Sequence, residues 1–250
     1  MSTMTIETPG VPFGRLLRVE SEKAVDTRAA RWLIAVTALL IIASVGLPLG
    51  LPDEFDQSPT GYTGATAIGV LSVFPAVVIL LLTTEWTRGT ILVTFTQEPR
   101  RLRVLAAKGL AGVGLGVLGA LLGFAVAMAG VLTADVVLGR EVSYAVESAF
   151  TGLLAASVLN MLMATGFAAL LQNSATAIVV FYVVPAIWGA ISVGVLADVG
   201  EYLDSNQAFQ WILEGDTAGH WPAIFVSMTL WIAIPLAAGA WRVATRDVRS

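Results

Sequence analysis

The residues best suited to specific chemistry lie between two long apolar runs, from Thr84 to Lys108. Five basic residues face two acidic ones there: Arg88, Arg100, Arg101, Arg103 and Lys108 against Glu85 and Glu98. Short loops rich in Lys and Arg stay in the cytoplasm. The charge pattern therefore indicates one of two roles, a plain cytoplasmic anchor or a contact with a partner protein.

The middle of this segment is apolar and predicts a short helix across Thr90–Gln97, lying on the membrane surface or against a partner. Gly89 permits a turn before it, and Pro99 suits the first turn of the next helix, where its missing N–H costs nothing. Glu85 ends the preceding helix and is expected to pair with Arg88 or with a basic residue of the partner.

The sequence lacks three motifs that are typical of nucleotide-binding or catalytic sites. The chain has no Gly-x-x-x-x-Gly-Lys-Ser/Thr phosphate-binding loop, no Gly-x-Ser-x-Gly elbow and no His-Glu-x-x-His site. It has no cysteine and a single histidine, His220. We therefore expect no catalytic residue, no metal site and no cofactor in this chain.

Composition points to a membrane protein. The 250 residues are 56% hydrophobic and 13% charged, whereas soluble domains carry about 25% charged residues. A helix needs about 20 apolar residues to cross a bilayer. Six apolar runs of that kind predict an all-α polytopic fold with spans at 32–51, 62–83, 105–132, 150–171, 175–197 and 221–241.

Charge predicts the orientation. All 14 Lys and Arg residues except Arg140 fall in the N-terminal segment 1–31, the 84–108 loop or the tail 242–250. The positive-inside rule thus places both termini in the cytoplasm and the protein in the cytoplasmic membrane.

Lys108 lies near enough to the end of its span to extend to the headgroups. The segment Asp198–His220 is expected to form a short amphipathic helix at the outer surface.

The N-terminal segment mixes apolar and basic residues. Phe13, Leu16 and Leu17 share one side of a possible helix within Val11–Arg31, and five basic residues supply charge. An interfacial helix along the membrane fits this mixture, and so does a solvated basic leader.

Glycines recur along the third span. Gly109, Gly112, Gly116, Gly119 and Gly123 follow steps of three and four residues, which places them on one helix face. Small residues let another helix approach closely. The face therefore predicts tight packing within the subunit, with a sliding surface used in gating as the alternative.

The predicted membrane interior is neutral. Ion-coupled carriers usually keep charged residues inside the membrane, and the cores of the six spans contain none. Asn160 is expected to hydrogen-bond another helix. With Tyr182 and Trp188 it has two possible roles, lining a path for an amphipathic substrate or simply packing.

The loop residues resemble those of a known family. A Glu, an Arg-Gly-Thr-Ile sequence, a Pro-Arg pair and a Lys at the next helix are similar to the first cytoplasmic loop of ABC-2 type permeases, the membrane subunits of bacterial ATP-driven exporters. The matching residues are Glu85, Arg88, Gly89, Thr90, Ile91, Pro99, Arg100 and Lys108, with Phe95 in the apolar middle. Upstream, Glu20, Lys23 and Arg28 resemble the family's basic N-terminal helix, although Ala24 and Asp26 interrupt its usual pattern.

The resemblance implies a permease subunit driven by a separate cytoplasmic ATPase, which would hold the ATP and Mg. It also implies a second permease copy or a sister permease, contact with membrane lipid and no nucleic acid. Two other interpretations remain open: an ATP-independent channel or carrier, and a membrane assembly or sensor protein that moves no solute.

Overall fold

A computed structural model describes residues 11–142, 146–195 and 199–246, without the side chains of 193–195. Within those ranges, six helices are long and apolar enough to cross a membrane. This confirms the prediction of an all-helical, multi-pass membrane protein. The six are Arg28–Gly50, Pro59–Thr87, Arg101–Val137, Val146–Leu171, Ser174–Ser192 and Trp221–Thr245.

The described residues contain twelve α-helical segments. In order they are α1 (Phe13–Asp26), α2 (Arg28–Ser44), α3 (Gly46–Gly50), α4 (Pro59–Thr87), α5 (Ile91–Gln97), α6 (Arg101–Leu132), α7 (Val146–Leu171), α8 (Ser174–Val195), α9 (Gly200–Leu203), α10 (Ser205–Glu214), α11 (Trp221–Met228) and α12 (Ile234–Thr245). Single π-helical turns extend α6 at Thr133–Val137 and join α11 to α12 at Thr229–Ala233.

Most spans extend further than their apolar runs predict, because polar and charged residues continue the end turns. The second span starts at Pro59, where the Ser58 hydroxyl caps the helix by accepting from the Gly61 N–H. The last one continues to Thr245, so residues 242–245 of the predicted tail belong to a helix. Residues 196–197 of the predicted fifth span and 247–250 of the tail lie outside the described residues.

The N-terminal segment is divided at Thr27. The Thr27 backbone is extended, and its hydroxyl accepts from the Ala30 N–H at 3.1 Å. This cap separates α1 from α2. Arg28, assigned above to the interfacial helix, therefore begins the first span instead. The predicted helix around Phe13 and Leu16 is present as α1, with Leu16 buried.

The bundle is built around α4, α6 and α7, which pack on one another. Helix α2 lies against α4, α12 against α7, and α1 along the first part of α6. In their most apolar windows α4 and α7 each bury 67% of the residues, whereas α2 buries 22% and α8 17%. Helices α2 and α8 therefore leave the largest faces open to lipid or to another chain.

The predicted helix in the segment that ends at His220 is present as α10. Asp204 caps it, its carboxylate accepting from the Asn206 N–H at 2.8 Å. Trp211 and Ile212 of α10 are buried, and a Cβ on Gly152 of α7 would meet the Ile212 carbonyl at 2.8 Å. Helix α10 thus packs into the bundle rather than lying only at its surface.

The glycine face of α6 packs inside the chain, as one of the two interpretations predicts. All five glycines are buried. A Cβ on Gly116 would lie 2.6 Å from Met161 Cγ of α7, and one on Gly119 would lie 2.2 Å from Phe74 Cε2 of α4. Contacts this close exclude any side chain, so glycine sets the distance between α6 and its neighbours.

Replacing Gly116 with leucine should therefore destabilise the protein. Overpacking of this kind typically costs about 1–3 kcal/mol. The matched control is Gly114→Leu, on the same helix, where an added Cβ meets nothing within 4 Å. Thermal unfolding in detergent measures both variants. Equal melting temperatures for Gly116→Leu and the wild type would show that α6 does not pack as described.

Candidate functional site

A group of four alternating charges joins three helices at one end of the bundle. Lys108 of α6 is its centre: its Nζ donates to Glu20 Oε2 at 2.7 Å and to the Leu81 carbonyl at 3.2 Å. It also lies 3.4 Å from Glu85 Oε1 of α4. The Lys108 and Glu20 side chains are 4% and 1% exposed. We call Glu20, Lys23, Glu85 and Lys108 the charge network.

Lys23 closes the network from the solvent side. Its Nζ donates to Glu20 Oε1 at 2.8 Å and to Glu85 Oε1 at 2.9 Å. Burial opposes its charged form, but the hydrogen bonds and charges of Glu20 and Glu85 outweigh that effect and raise the pKa of Lys23 above its usual 10.5. Lys23 therefore keeps its charge across the neutral pH range, and the two cations balance the two carboxylates.

The contacts in the charge network show that two predictions, one for Lys108 and one for Glu85, were wrong. Lys108 does not extend to the headgroups, because its ammonium is enclosed by Glu20, Glu85 and the Leu81 carbonyl. Glu85 pairs with Lys23 and Lys108 rather than with Arg88, whose side chain is exposed. The charge-free part of the third span accordingly begins only after Lys108, about two turns into α6.

Helix α5 is attached to this network. Thr94 of α5 donates its hydroxyl proton to Glu85 Oε2 at 3.1 Å. Gly89 has φ +70°, a left-handed conformation that reverses the chain between α4 and α5. Ile91 is 3% exposed. Phe95 meets the Trp86 ring edge-on, with a centroid separation of 5.9 Å. The predicted helix and turn are both confirmed.

The exposed face of α5 is formed by Leu92 and Val93 rather than by Ile91 and Phe95. Ile91 and Phe95 carry the family resemblance, but both point toward the bundle, where they line a small cavity with Trp86 and Arg101. Leu92 and Val93 are 38% and 59% exposed. A partner that docks on α5 would therefore touch Leu92 and Val93.

Glu98 organises the start of α6. Its carboxylate, 2% exposed, accepts from the Arg100 N–H at 3.2 Å and from Arg103 Nη1 at 2.8 Å. A carboxylate just before a helix is also stabilised by the positive N-terminal end of the helix dipole. Pro99 precedes the helix instead of occupying its first turn, because Arg100 is the cap residue. Arg100 itself is exposed.

The end of α12 returns to the same region. Arg101 donates to the backbone carbonyl of Arg246. The Arg246 guanidinium lies 5.6 Å from the centroid of the Trp86 ring and donates to the Gln172 side chain. No sequence pattern indicated these contacts, because they join residues that are 74 or more positions apart.

Two of the three suggested pathway residues lie together. Asn160 of α7 and Tyr182 of α8 line one cavity between α4, α7, α8 and α10, whereas Trp188 is not part of its lining. The Tyr182 hydroxyl donates to the Ser72 carbonyl at 2.6 Å. Asn160 was expected to hydrogen-bond another helix, but its Oδ1 atom is buried and has no partner in the described structure.

The described ranges contain no group of three or more His, Cys, Asp or Glu residues that could hold a metal ion. The charge network is a mechanical feature, because it holds oppositely charged groups of three helices within hydrogen-bond or ion-pair distance. Comparison of the sequence with protein-family models and with curated proteins found no match. Any function must therefore be inferred from the residues and their arrangement.

Removing the Lys108 ammonium should destabilise the protein strongly. Breaking a buried ion pair by deleting one member costs about 3–5 kcal/mol, and Lys108→Met would leave Glu20 buried beside Lys23 alone. The matched control is Arg18→Met, which removes the exposed Arg18–Glu22 pair at a cost of about 0–1 kcal/mol.

Unfolding in detergent measures these variants, the single variant Glu20→Gln and the double variant Glu20→Gln, Lys108→Met. The double variant should lose less stability than the sum of the two single changes, because the partners are removed together. If Lys108→Met were no more destabilising than Arg18→Met, the charge network would contribute nothing to the fold.

Proposed function

We propose that this chain is the membrane-spanning permease subunit of an ATP-binding-cassette exporter, driven by a separate cytoplasmic ATPase. One observation carries the proposal: the short helix α5 exposes Leu92 and Val93 while the charge network and an aromatic contact hold it against the bundle. The resemblance of the 84–108 loop to ABC-2 permeases supports it, as does the lack of a phosphate-binding loop in this chain.

Orientation follows from charge in this proposal. The end that carries α5 also holds α1 and the end of α12, and with them most of the basic residues. In a bacterial plasma membrane that end faces the cytoplasm. Helix α1, which leaves Val19 and Val25 exposed, lies at the membrane interface.

A force applied to α5 has a defined route into the bundle. Thr94 connects α5 to Glu85, and Glu85 is paired with Lys108 and Lys23. A push on α5 is thus delivered to α4, α6 and α1 together, since ion pairs of this kind resist separation inside a protein. ATP-driven closure of the partner subunits would move these helices as a group and open the path to the outside.

The proposal includes a second membrane subunit. Helices α2 and α8 are the least buried spans and expose large apolar side chains, among them Leu39, Ile42, Val179 and Ile187. A second copy of this chain or a sister permease covers such faces in an exporter with two membrane halves. Lipid covers what the partner leaves open.

Val93→Asp tests the docking role of α5. A charge placed in a desolvated contact costs about 2 kcal/mol or more, which lowers affinity by more than about tenfold. The tagged chain is purified from membranes of its native host, and Mg-dependent ATP hydrolysis by the preparation is measured together with the sequence of any co-purified ATPase. Val93→Asp should lose the ATPase.

The control is Ser21→Asp, which adds the same charge at an exposed polar position of α1. It should keep the ATPase, and both variants should unfold at the wild-type temperature because neither side chain is buried. A wild-type preparation without an associated phosphate-binding-loop ATPase would overturn the proposed function. Equal ATPase recovery with Val93→Asp would remove α5 as the contact.

A further inference from the structure

A second site lies apart from the charge network, in a cavity of about 350 Å³ between α4, α7, α8 and α10. Most of its wall is apolar or aromatic, with contributions from Leu71, Met163, Phe181 and Phe209. Cavities that bind small molecules typically have about 300–1,000 Å³ and combine such walls with a few polar groups. Size and lining therefore both fit a small organic ligand.

Asn160 supplies an unused polar group in this cavity. The residue is 8% exposed, and its Oδ1 atom is buried without a hydrogen-bond partner in the described structure. Buried polar side-chain atoms are nearly always hydrogen-bonded, so each exception calls for a physical explanation. An acceptor left free at the wall of a cavity is explained by a ligand that donates to it.

Two donor groups near Asn160 already form hydrogen bonds with backbone carbonyls. Tyr182 donates to the Ser72 carbonyl at 2.6 Å, and Asn206 Nδ2 donates to the Pro185 carbonyl at 3.1 Å. Pro185 in turn has no N–H to offer the carbonyl of Phe181 one turn earlier. The Tyr182 hydroxyl and Asn206 Nδ2 therefore do not bond the Asn160 oxygen, which favours a ligand that brings a donor of its own.

Charge sets a further limit on the ligand. The residues that line the cavity include no Asp, Glu, Lys, Arg or His side chain. A charged ligand would be desolvated there without a counter-charge, which is strongly unfavourable. The hydroxyl and amide groups of Ser205 and Asn206 provide the remaining polar surface.

We propose that this cavity is a binding site for an uncharged amphipathic small molecule that has an apolar or aromatic body and a hydroxyl or N–H group donating to Asn160 Oδ1. The site goes beyond the permease function, because binding needs neither an ATPase nor a second subunit. It is built entirely from residues of one chain.

Two probes of nearly the same shape test the site. 2-Naphthol carries a hydroxyl donor, and 2-methoxynaphthalene lacks it. The full chain is placed in lipid nanodiscs, empty nanodiscs correct for partitioning into lipid, and saturable binding is measured by calorimetry. The wild type should bind 2-naphthol about fivefold more tightly, the ratio expected for one net hydrogen bond.

Asn160→Leu keeps the approximate size of the side chain and removes the acceptor. It should bind both probes equally, with the affinity for 2-methoxynaphthalene unchanged or higher, which also shows that the variant is folded. The control is Ser157→Ala, which removes a hydroxyl on the same helix that is bonded to its own backbone at Leu153 and lies outside the cavity. It should keep the wild-type preference.

Three results would overturn the proposal. One is a wild type that binds neither probe saturably, and another is a wild type that binds both probes equally. The third is an Asn160→Leu variant that keeps the preference for 2-naphthol. None of these results depends on an ATPase, so the site and the proposed exporter function can fail separately.

Discussion

The Lys108 ammonium is nearly enclosed by protein, and the rest of the architecture depends on how its charge is balanced. An isolated buried cation is too costly to keep, so Glu20 and Glu85 must accompany it at 2.7 and 3.4 Å. Each comes from a different helix. The requirement for neutrality therefore fixes α1 and α4 on α6, and Lys23 completes the balance from the open side.

The two halves of the bundle are held by different forces. At the charged end, ion pairs and the stacking of Arg246 on Trp86 join helices that would otherwise separate. Further along, packing is neutral: Gly112, Gly116 and Gly119 of α6 bring it against α4 and α7 at distances too short for an added Cβ. A rigid charged end beside a bundle with an internal cavity is an arrangement that can transmit a force and still hold an uncharged ligand.

Local sequence patterns predicted the helices, but they did not predict which residues pair between helices. Hydropathy predicted six spans, glycine spacing predicted a packed face, and an apolar stretch after Gly89 predicted α5. The pairing of Lys108 with Glu20 crosses 88 positions, and a helical period reports which face a residue is on, not which distant residue meets it. The same limit explains why Asn160 was expected to hydrogen-bond another helix although its oxygen has no partner in the described structure.

We infer that the charge network makes α1 and α5 one rigid unit. The chain has no cysteine, so Ser21→Cys on α1 and Thr96→Cys on α5, both exposed, provide two specific spin-label sites. Pulsed electron paramagnetic resonance in nanodiscs then measures the distribution of distances between them. We expect one narrow distance in the otherwise wild-type protein and a broad distribution when Lys108→Met is added. An equally narrow distribution in both would contradict it.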